Sequence, residues 1–395
     1  MMKIIAINAG SSSLKFQLLE MPEETVITSG VVEKIGSKDA IFTIKFNGKK
    51  DEKITEIKNH SVAVEMLLEA LISNGIIKSV DEIEGVGHRI VQGGEIFQEA
   101  AVINDKVIEQ IEGLAPLAPL HNHAHVIGIR AFVEALPNVL QLAVFDTTFH
   151  QTMDETSYLY ATPYEWYEKY GVRKYGFHGT SHQYVSIEAA KRLNNKHAKL
   201  ISCHIGNGVS ITAIKDGKSI DTSMGLTPLE GVPMGTRTGN IDPAVLGLLQ
   251  TKEGKSLEEL LEIINKKSGY LGVSGISNDA RDLFKAHFAG NKRATLALQI
   301  QAKRIADYIG SYYIQLQGLD AIIFTAGIGE NSFLVRKLIT DHLGVLGVEI
   351  DQEVNKATMG DEAVISTPNS KVKVLVIPTN EEVMLAREVY SRIDK

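Results

Sequence analysis

A chain of 395 residues is longer than one ordinary hydrophobic core needs, so two domains are expected. With 44% hydrophobic and 23% charged residues the composition is globular, and a net charge of −7 argues against a general nucleic-acid binder, whose affinity comes from clustered Lys and Arg. The single cysteine, Cys203, excludes an internal disulfide framework and suits a reducing cytoplasm, and no apolar run approaches the ~18 residues of a membrane span.

The first segment, "KIIAIN", breaks after a few apolar residues with no small-residue cleavage pattern behind it, so it reads as a strand and not as a signal peptide. With "FQLLE" it forms a hairpin around the turn "NAGSSSLK". "VITSGVVEKI", "AIFTIKF" and "EKITEI" continue as strands between Gly or Asn turns. "SVAVEMLLEALISNG" switches to helical spacing and stops at Asn74-Gly75. "IEGVGHRIV" and "VLQLAVFD" are further strands, with the helix "HAHVIGIRAFVEALP" between them. The segment "KLISCHIGNGVSITAIKDGKSIDTS" then repeats the opening grammar of strand, glycine turn and strand. Setting Gly206 against Gly10 places His204 against Asn8. A long helical stretch over "NKRATLALQIQAKRIADYIGSYYIQLQG" follows, then the strands "AIIFT" and "VKVLVIP" and a terminal helix. The expected class is α/β, with two duplicated halves that each carry a mixed sheet flanked by helices. The boundary is placed at residues 149/150, with 383–395 returning to the first domain.

The turn from Asn8 to Lys15 combines backbone N–H groups, the hydroxyls of Ser11, Ser12 and Ser13, and the Lys15 ammonium, which together suit an anion; an ordinary polar hairpin tip fits the same residues. The echo at Gly206-Asn207-Gly208, and a third glycine segment at Gly327-Ile328-Gly329 ending the strand "AIIFT", move the balance toward a nucleotide. That third segment is read as a turn followed by a helix opening over Glu330 to Ser332.

Arg89 and Arg237 sit in strand-to-loop contexts, Arg89 in a glycine-rich, otherwise apolar segment and Arg237 in a small-residue loop, where a planar guanidinium suits carboxylate or phosphate and a structural ion pair is the competing reading. Asp146 ends a strand, a privileged place for ligands in open α/β sheets, though it also suits a turn cap. Thr379 and Glu382 fit a capping box around Glu381. His121, His123 and His125 alternate as if for a metal, but the helical spacing after them argues against three ligands on one face. An imidazole donating to a phosphoryl group is the better reading for His121 and His178. Cys203 and Trp166 read as packing residues.

The motifs "NAGSSSLK", "GHRIVQGG", "FDTTFHQTM", "YGFHGTSH", "HIGNGVSITAIKDGKSIDTSMGLTPLEGVPMGTRTGNIDP", "SNDARDL", "FTAGIGENS" and "IPTNEE" occur in that order along essentially the whole chain. In this order they resemble the acetokinase family, the acetate kinases of the acetate and sugar kinase, heat-shock cognate and actin superfamily. The resemblance implies two duplicated ribonuclease H-like (actin-like ATPase) domains, each a mixed five-stranded sheet flanked by helices, with a cleft between them. It implies reversible transfer of the ATP γ-phosphate to acetate by direct in-line displacement, with ADP and acetyl phosphate as products. Mg²⁺, or Mn²⁺ in its place, is the implied cofactor, and the second domain is implied to hold the nucleotide and to form a homodimer.

Residue by residue, Asn8 and Glu381 match the magnesium positions, and Lys15 with its neighbouring serines matches the phosphate-facing loop. Arg89 and Arg237 match the pair that holds the carboxylate acceptor and the phosphoryl group. Asp146 matches the essential carboxylate, His178 the transition-state stabiliser, and His121 a neighbouring imidazole. His204, Ile205, Gly206, Asn207 and Gly208 match one ATP segment; Asp279, Ala280 and Arg281 a second; Gly327, Ile328, Gly329, Glu330 and Asn331 a third. Val91, Leu120, Phe177 and Pro228 match an apolar pocket for the acceptor's methyl group. Ala280 is smaller than the residue some relatives carry there. A propionate kinase of the same fold, or an acceptor-independent actin- or chaperone-like ATPase, are the competing functions.

Overall fold

The computed structural model describes residues 1–118 and 121–393, which form two compact units, 1–148 with 380–393 and 149–379. In the first unit, β1 (Met2–Ala9) and β2 (Ser13–Met21) are the expected hairpin, paired so that Asn8 lies opposite Lys15. The meander continues through β3 (Thr25–Glu33), β4 (Ala40–Phe46) and β5 (Lys49–Thr55). On the other side of β1, β6 (Ile83–Ile90) and then β8 (Leu140–Phe145) add in parallel, with the short β7 (Ala101–Val102) at the edge. The sheet is therefore eight strands wide, in the order β5-β4-β3-β2-β1-β6-β8-β7, and not five. The extra width comes from the meander's outer strands β4 and β5 and from the short β7 at the opposite edge; the charged β5, "KKDEKIT", exposes six of its seven residues as edge strands require.

One face of this sheet is covered by the helices His60–Ser73 and Asn122–Ala135, which bury Leu67, Leu71, Ile129 and Phe132 against β-branched strand residues. On the other face lies the C-terminal helix Glu381–Ile393. Glycines make that contact: a β-carbon at Gly85 would come within 2.3 Å of Val389, and one at Gly87 within 3.1 Å of Leu385. Period-2 alternation puts Arg89 on the same face as those glycines, facing the start of that helix. Asn380, through its side chain, accepts from the Val383 amide and caps the helix, in place of the expected Thr379.

The second unit repeats the plan. Its six-stranded sheet runs β11 (Lys218–Thr222), β10 (Val209–Lys215), β9 (Lys199–Ile205), β12 (Ala321–Thr325), β14 (Lys373–Val376) and β13 (Ala363–Val364). Here β9 and β10 are the hairpin, and His204 lies opposite Ser210 as Asn8 lies opposite Lys15. Parallel β12 and β14 follow β9 as β6 and β8 follow β1. The helix Lys292–Leu316 buries Leu298, Ile305, Ile309 and Tyr312, and the helix Gly179–Arg192 buries Val185 and Ala189. Cys203 is buried, as read from the sequence, whereas Trp166 lies 45% exposed on the short helix Tyr164–Tyr170 and is not a core residue.

Candidate active site

In the first unit the candidate residues gather at the carboxyl ends of the parallel strands β1, β6 and β8. Asn8 and Arg89 are the penultimate residues of β1 and β6, and Asp146 follows β8, its amide bonded to the Ile90 carbonyl at 2.8 Å. Adjacent parallel strands bring Arg89 and Asp146 side by side, and the pair is bidentate: Nε to Oδ1 at 2.9 Å and Nη2 to Oδ2 at 2.8 Å. Arg89 Nη1 reaches Glu381 Oε2 at 3.4 Å, and Lys15 Nζ reaches Glu382 Oε1 at 2.6 Å. The helix start at Glu381 thus supplies two adjacent carboxylates to two cations of the sheet.

Burial works against the charge on Arg89, but the fields of Asp146 and Glu381 outweigh it and push the guanidinium's pKa up. Glu381 goes the other way for a carboxylate: burial raises its pKa, Arg89 offsets part of that, and Asp146 and Glu382 add to the rise. Three carboxylates, Asp146, Glu381 and Glu382, face two cations, Arg89 and Lys15, so the cluster is one positive charge short of balance. Asn8, with a side chain that makes no hydrogen bond among the described residues, adds an amide oxygen. An unpaired amide oxygen and an under-compensated carboxylate are the hard donors that Mg²⁺ accepts when phosphate oxygens and water complete its shell, so the residues fit the implied cation.

The Gly10 amide bonds back to the Ser13 carbonyl at 2.8 Å, and the Gly10 carbonyl meets His60 Nε2 at 2.8 Å, which fixes the turn carrying Ser11 and Ser12. Ser11 and Ser12 are exposed and Ser13 half-buried. His121 occupies the cap of the helix Asn122–Ala135, its ring 6.4 Å from that of His125 one turn on. His125 is buried and held neutral, its pKa lowered to about 4 by burial and then by Arg89. His123 points away to Glu112 at 3.1 Å, and the described residues contain no group of three metal-ligating side chains of the His, Cys, Asp and Glu type. Val91 is 9% exposed, and Leu120 lies outside the described residues.

In the second unit the corresponding strand ends carry His204 on β9 and Thr325 on β12, adjacent in register. His178 precedes the helix Gly179–Arg192 with a left-handed backbone, φ +55°, a conformation that costs a residue with a β-carbon roughly 1–2 kcal/mol and marks a constrained site. Its ring stacks on His204 with centroids 4.0 Å apart. A β-carbon at Gly208 would come within 3.4 Å of both His178 Nε2 and Arg237 Nη1, so these two groups converge over that glycine. Arg237 Nη1 donates to the Pro228 carbonyl at 3.1 Å, and desolvation lowers the guanidinium's pKa. Pro228 is half-buried and Phe177 buried, with the Phe177 carbonyl bonded to His150 Nε2 at 2.9 Å.

Of the three nucleotide segments, the one at Gly206-Asn207-Gly208 is the tight turn of the second hairpin, closed by the Gly206 amide on the Gly208 carbonyl at 3.0 Å; Ile205 before it is buried. A β-carbon at Gly235 would lie 2.3 Å from Asn207 Oδ1, so the loop that carries Arg237 packs directly on this turn. Asp279 caps the helix Ala280–Phe288 and holds exposed Arg281 at 2.5 Å, which keeps its own carboxyl near pKa 2. Ala280 is buried, so its small size is a packing feature of the helix start. At the third segment the helix already begins at Ala326, so Gly327, Ile328 and Gly329 lie inside the helix Ala326–Asn331 and not ahead of it. A β-carbon at Gly327 would meet nothing within 4 Å, which leaves open space beside it. Asn331 bonds back to the Gly327 carbonyl at 3.0 Å. Glu330 accepts from the Thr379 amide at 3.0 Å.

The profile of the Acetokinase family matches residues 3–387. The acetate kinase of Acholeplasma laidlawii is 62% identical over 389 residues, covering 98% of each chain, and that of a Geobacillus species is 61% identical over 391 residues with the same coverage. The chain belongs to the acetokinase family. Among solved structures, the Porphyromonas gingivalis acetate kinase superposes with a TM-score of 0.95 at 45% identity over all of both chains. A Francisella tularensis propionate kinase superposes at 0.94 with 43% identity over 99% of this chain and all of its own. The acetokinase fold is that of actin-like ATPases, and the two mixed sheets described above follow it.

Two groups of residues in this acetokinase were not singled out from its sequence. Arg336 is completely buried without a carboxylate: its five donors go to Asn355 Oδ1 and to the carbonyls of Gly329, Glu330, Asn355 and Thr358, at 2.8–2.9 Å. It ties the segment Gly327 to Asn331 to the helix behind it, and burial lowers its pKa to about 10. The signal was a cation on the apolar face of "SFLVRKLIT", beside Leu334, Val335 and Ile339. The second group is a buried set of serines and histidines around His178 and His204. His182 Nε2 and His178 Nδ1 both contact Ser210 Oγ, at 2.7 and 2.8 Å. Ser181 Oγ contacts His204 Nδ1 and Thr379 Oγ1, each at 2.8 Å.

Proposed function

We propose that this chain transfers the γ-phosphoryl group of ATP reversibly to acetate, giving ADP and acetyl phosphate by direct in-line displacement. Membership of the acetokinase family supports the overall reaction, and one observation carries the mechanism: Arg89 is fixed bidentately by Asp146 beside Glu381. Phosphoryl transfer asks a protein mainly to position its reactants and to offset their charge. Two anions must meet, and Arg89, Arg237 and Lys15 are cations suited to that task.

Acetate has a carboxylic pKa near ~4 and is ionised at neutral pH, so it gives up no proton when it attacks. A general base therefore has no task here. Asp146 in this reading aims the Arg89 guanidinium at the acceptor carboxylate and does not accept a proton. Arg237 and His178, converging over Gly208, hold the phosphoryl group in flight, with His121 a further donor. Val91, Leu120, Phe177 and Pro228 are the residues that the family resemblance assigns to the acceptor's methyl group. Ser11, Ser12, Ser13 and Lys15 face phosphate oxygens, and His204 to Gly208, Asp279 to Arg281 and Gly327 to Asn331 bind the nucleotide. Asn8 and Glu381 would hold Mg²⁺, which when bound offsets charge on the phosphate oxygens. A cytoplasmic homodimer joined through the second unit completes the reading, in keeping with a single buried cysteine.

The likeness to the Francisella propionate kinase keeps one neighbouring function in view, a three-carbon acceptor. ADP release in a coupled assay with Mg·ATP and acetate, propionate, butyrate or no acceptor separates the readings. Acetate should give the highest kcat/KM. Propionate ahead of acetate would make the chain a propionate kinase, and ADP release at the same rate without any acceptor would refute carboxylate phosphorylation altogether.

A further inference from the structure

His178 lies within hydrogen-bonding distance of a linear chain of buried groups. From the active-site end it runs His178 Nδ1 to Ser210 Oγ at 2.8 Å, Ser210 Oγ to His182 Nε2 at 2.7 Å, and His182 Nδ1 to Ser202 Oγ at 2.9 Å. Ser202, His182 and Ser210 are each completely buried. The fold builds the chain from neighbouring pieces: Ser202 is on β9, Ser210 on β10, and His178 and His182 are one turn apart at the start of the helix Gly179–Arg192. In the duplicated hairpins Ser210 holds the place that Lys15 holds in the first unit, so a neutral hydroxyl stands where its counterpart is an ammonium.

With His178 neutral, each member of the chain has one proton to place, since burial drives the His182 pKa well down and keeps that imidazole neutral. The protons can then be arranged in three ways, in one of which Ser210 accepts from both imidazoles and its own buried hydroxyl proton is left without an acceptor. If they run inward, His178 Nδ1–H donates to Ser210, Ser210 to His182, and His182 Nδ1–H to Ser202. The Ser202 hydroxyl proton then has no acceptor, since His182 is its one side-chain partner among the described residues. An unmade bond at a buried hydroxyl leaves the full desolvation of that group uncompensated. If they run outward, Ser202 donates to His182 Nδ1, His182 Nε2–H to Ser210, and Ser210 to His178 Nδ1, so every buried hydroxyl proton is used and the remaining donor is His178 Nε2–H at the active-site end.

We infer that Ser202, His182 and Ser210 act as positioning residues whose one-way hydrogen-bond chain fixes His178 as the neutral tautomer with its proton on Nε2. That nitrogen is the one that converges with Arg237 over Gly208. His178 therefore presents a hydrogen-bond donor and not a lone pair, with no need for a proton from solvent. The catalytic consequence rests on the reading of His178 as the phosphoryl donor; the tautomer itself does not.

The test is long-range ¹H–¹⁵N correlation on the full-length enzyme labelled in its histidines, with the His178 signal assigned by its loss in His178→Asn. At pH 7.5 the expected pattern is an unprotonated Nδ1 and a protonated Nε2. In Ser202→Ala a second, Nδ1-protonated population should appear, and Ser202→Thr, which keeps the hydroxyl, should suppress it. Ser210→Ala should lower kcat about tenfold with both substrate KM values changed less than twofold, as loss of a donor in the transition state requires. A wild-type His178 protonated on Nδ1, or a tautomer identical in Ser202→Ala and wild type, overturns the inference. Full activity in His178→Asn would instead overturn the donor role and leave the tautomer standing.

Discussion

Replacing Asp146 by Asn tests the division of labour in the first unit. Asp146 is 2% exposed and accepts two charge-assisted bonds from Arg89, at 2.8 and 2.9 Å. Asn is nearly isosteric but offers one acceptor, and its amide N–H groups oppose the second guanidinium donor. Removing one partner of a buried ion pair costs about 3–5 kcal/mol; with Arg89 itself 19% exposed and Glu381 still 3.4 Å away, the lower end applies. That cost falls on folding stability, while the loss of aim in Arg89 should lower kcat/KM for acetate by roughly a hundredfold, the scale at which a misplacement of about 1 Å is felt. The assay is initial-rate kinetics from pH 6 to 9 at several Mg²⁺ concentrations. The ATP KM should stay within about threefold, extra Mg²⁺ should not restore the rate, and the shape of the pH profile should match wild type. An ionisation that is present in the wild-type kcat/KM profile and absent from Asp146→Asn would refute the argument and establish a base.

Glu381→Gln should melt at a higher temperature than wild type at pH 7.5 while losing most activity. The folded-state pKa of this carboxyl is raised, so ionising it opposes folding, and the advantage of Gln should shrink as pH falls through the carboxylate range. His88 is buried against Gln141 with its pKa lowered from 6.5 to about 4, so it favours the native state above pH 6.5 and loses that contribution as pH falls toward 4. Denaturant titrations should show on the order of 3 kcal/mol less acid loss in a His88→Gln variant than in wild type. Val91→Ala should raise the propionate-to-acetate ratio of kcat/KM by the about 1–3 kcal/mol that one methylene commands in an apolar pocket, and an unchanged ratio would remove Val91 from the acceptor wall.

The hairpins were legible because period-2 strands flank residues that only a turn uses: Gly10 and the serines in one half, Gly206-Asn207-Gly208 in the other. Parallel placement of "IEGVGHRIV" and "VLQLAVFD" beside the first strand put Arg89 and Asp146 at carboxyl ends. What each side chain touches was not legible. The bidentate pair depends on β6 and β8 being neighbours, which spacing does not state. Gly85 and Gly87 lie in the expected strand "IEGVGHRIV", but spacing does not say that they form a groove for a helix nearly 300 residues later. Ser202 and Ser210 carry no local signal, because their meaning arises only when two strands and a helix start meet. Trp166 misled for a simple reason: size favours burial on average, but one short helix with no buried residue can leave it outside.

Direct displacement guided by charge and position leaves no covalent step on the protein. The decisive measurement is the stereochemistry at phosphorus, using ATP made chiral in its γ-phosphoryl oxygens and analysing the acetyl phosphate formed. A single in-line transfer predicts inversion. Retention would require two displacements through a phosphorylated side chain and would contradict the roles assigned to Arg89, Asp146 and His178.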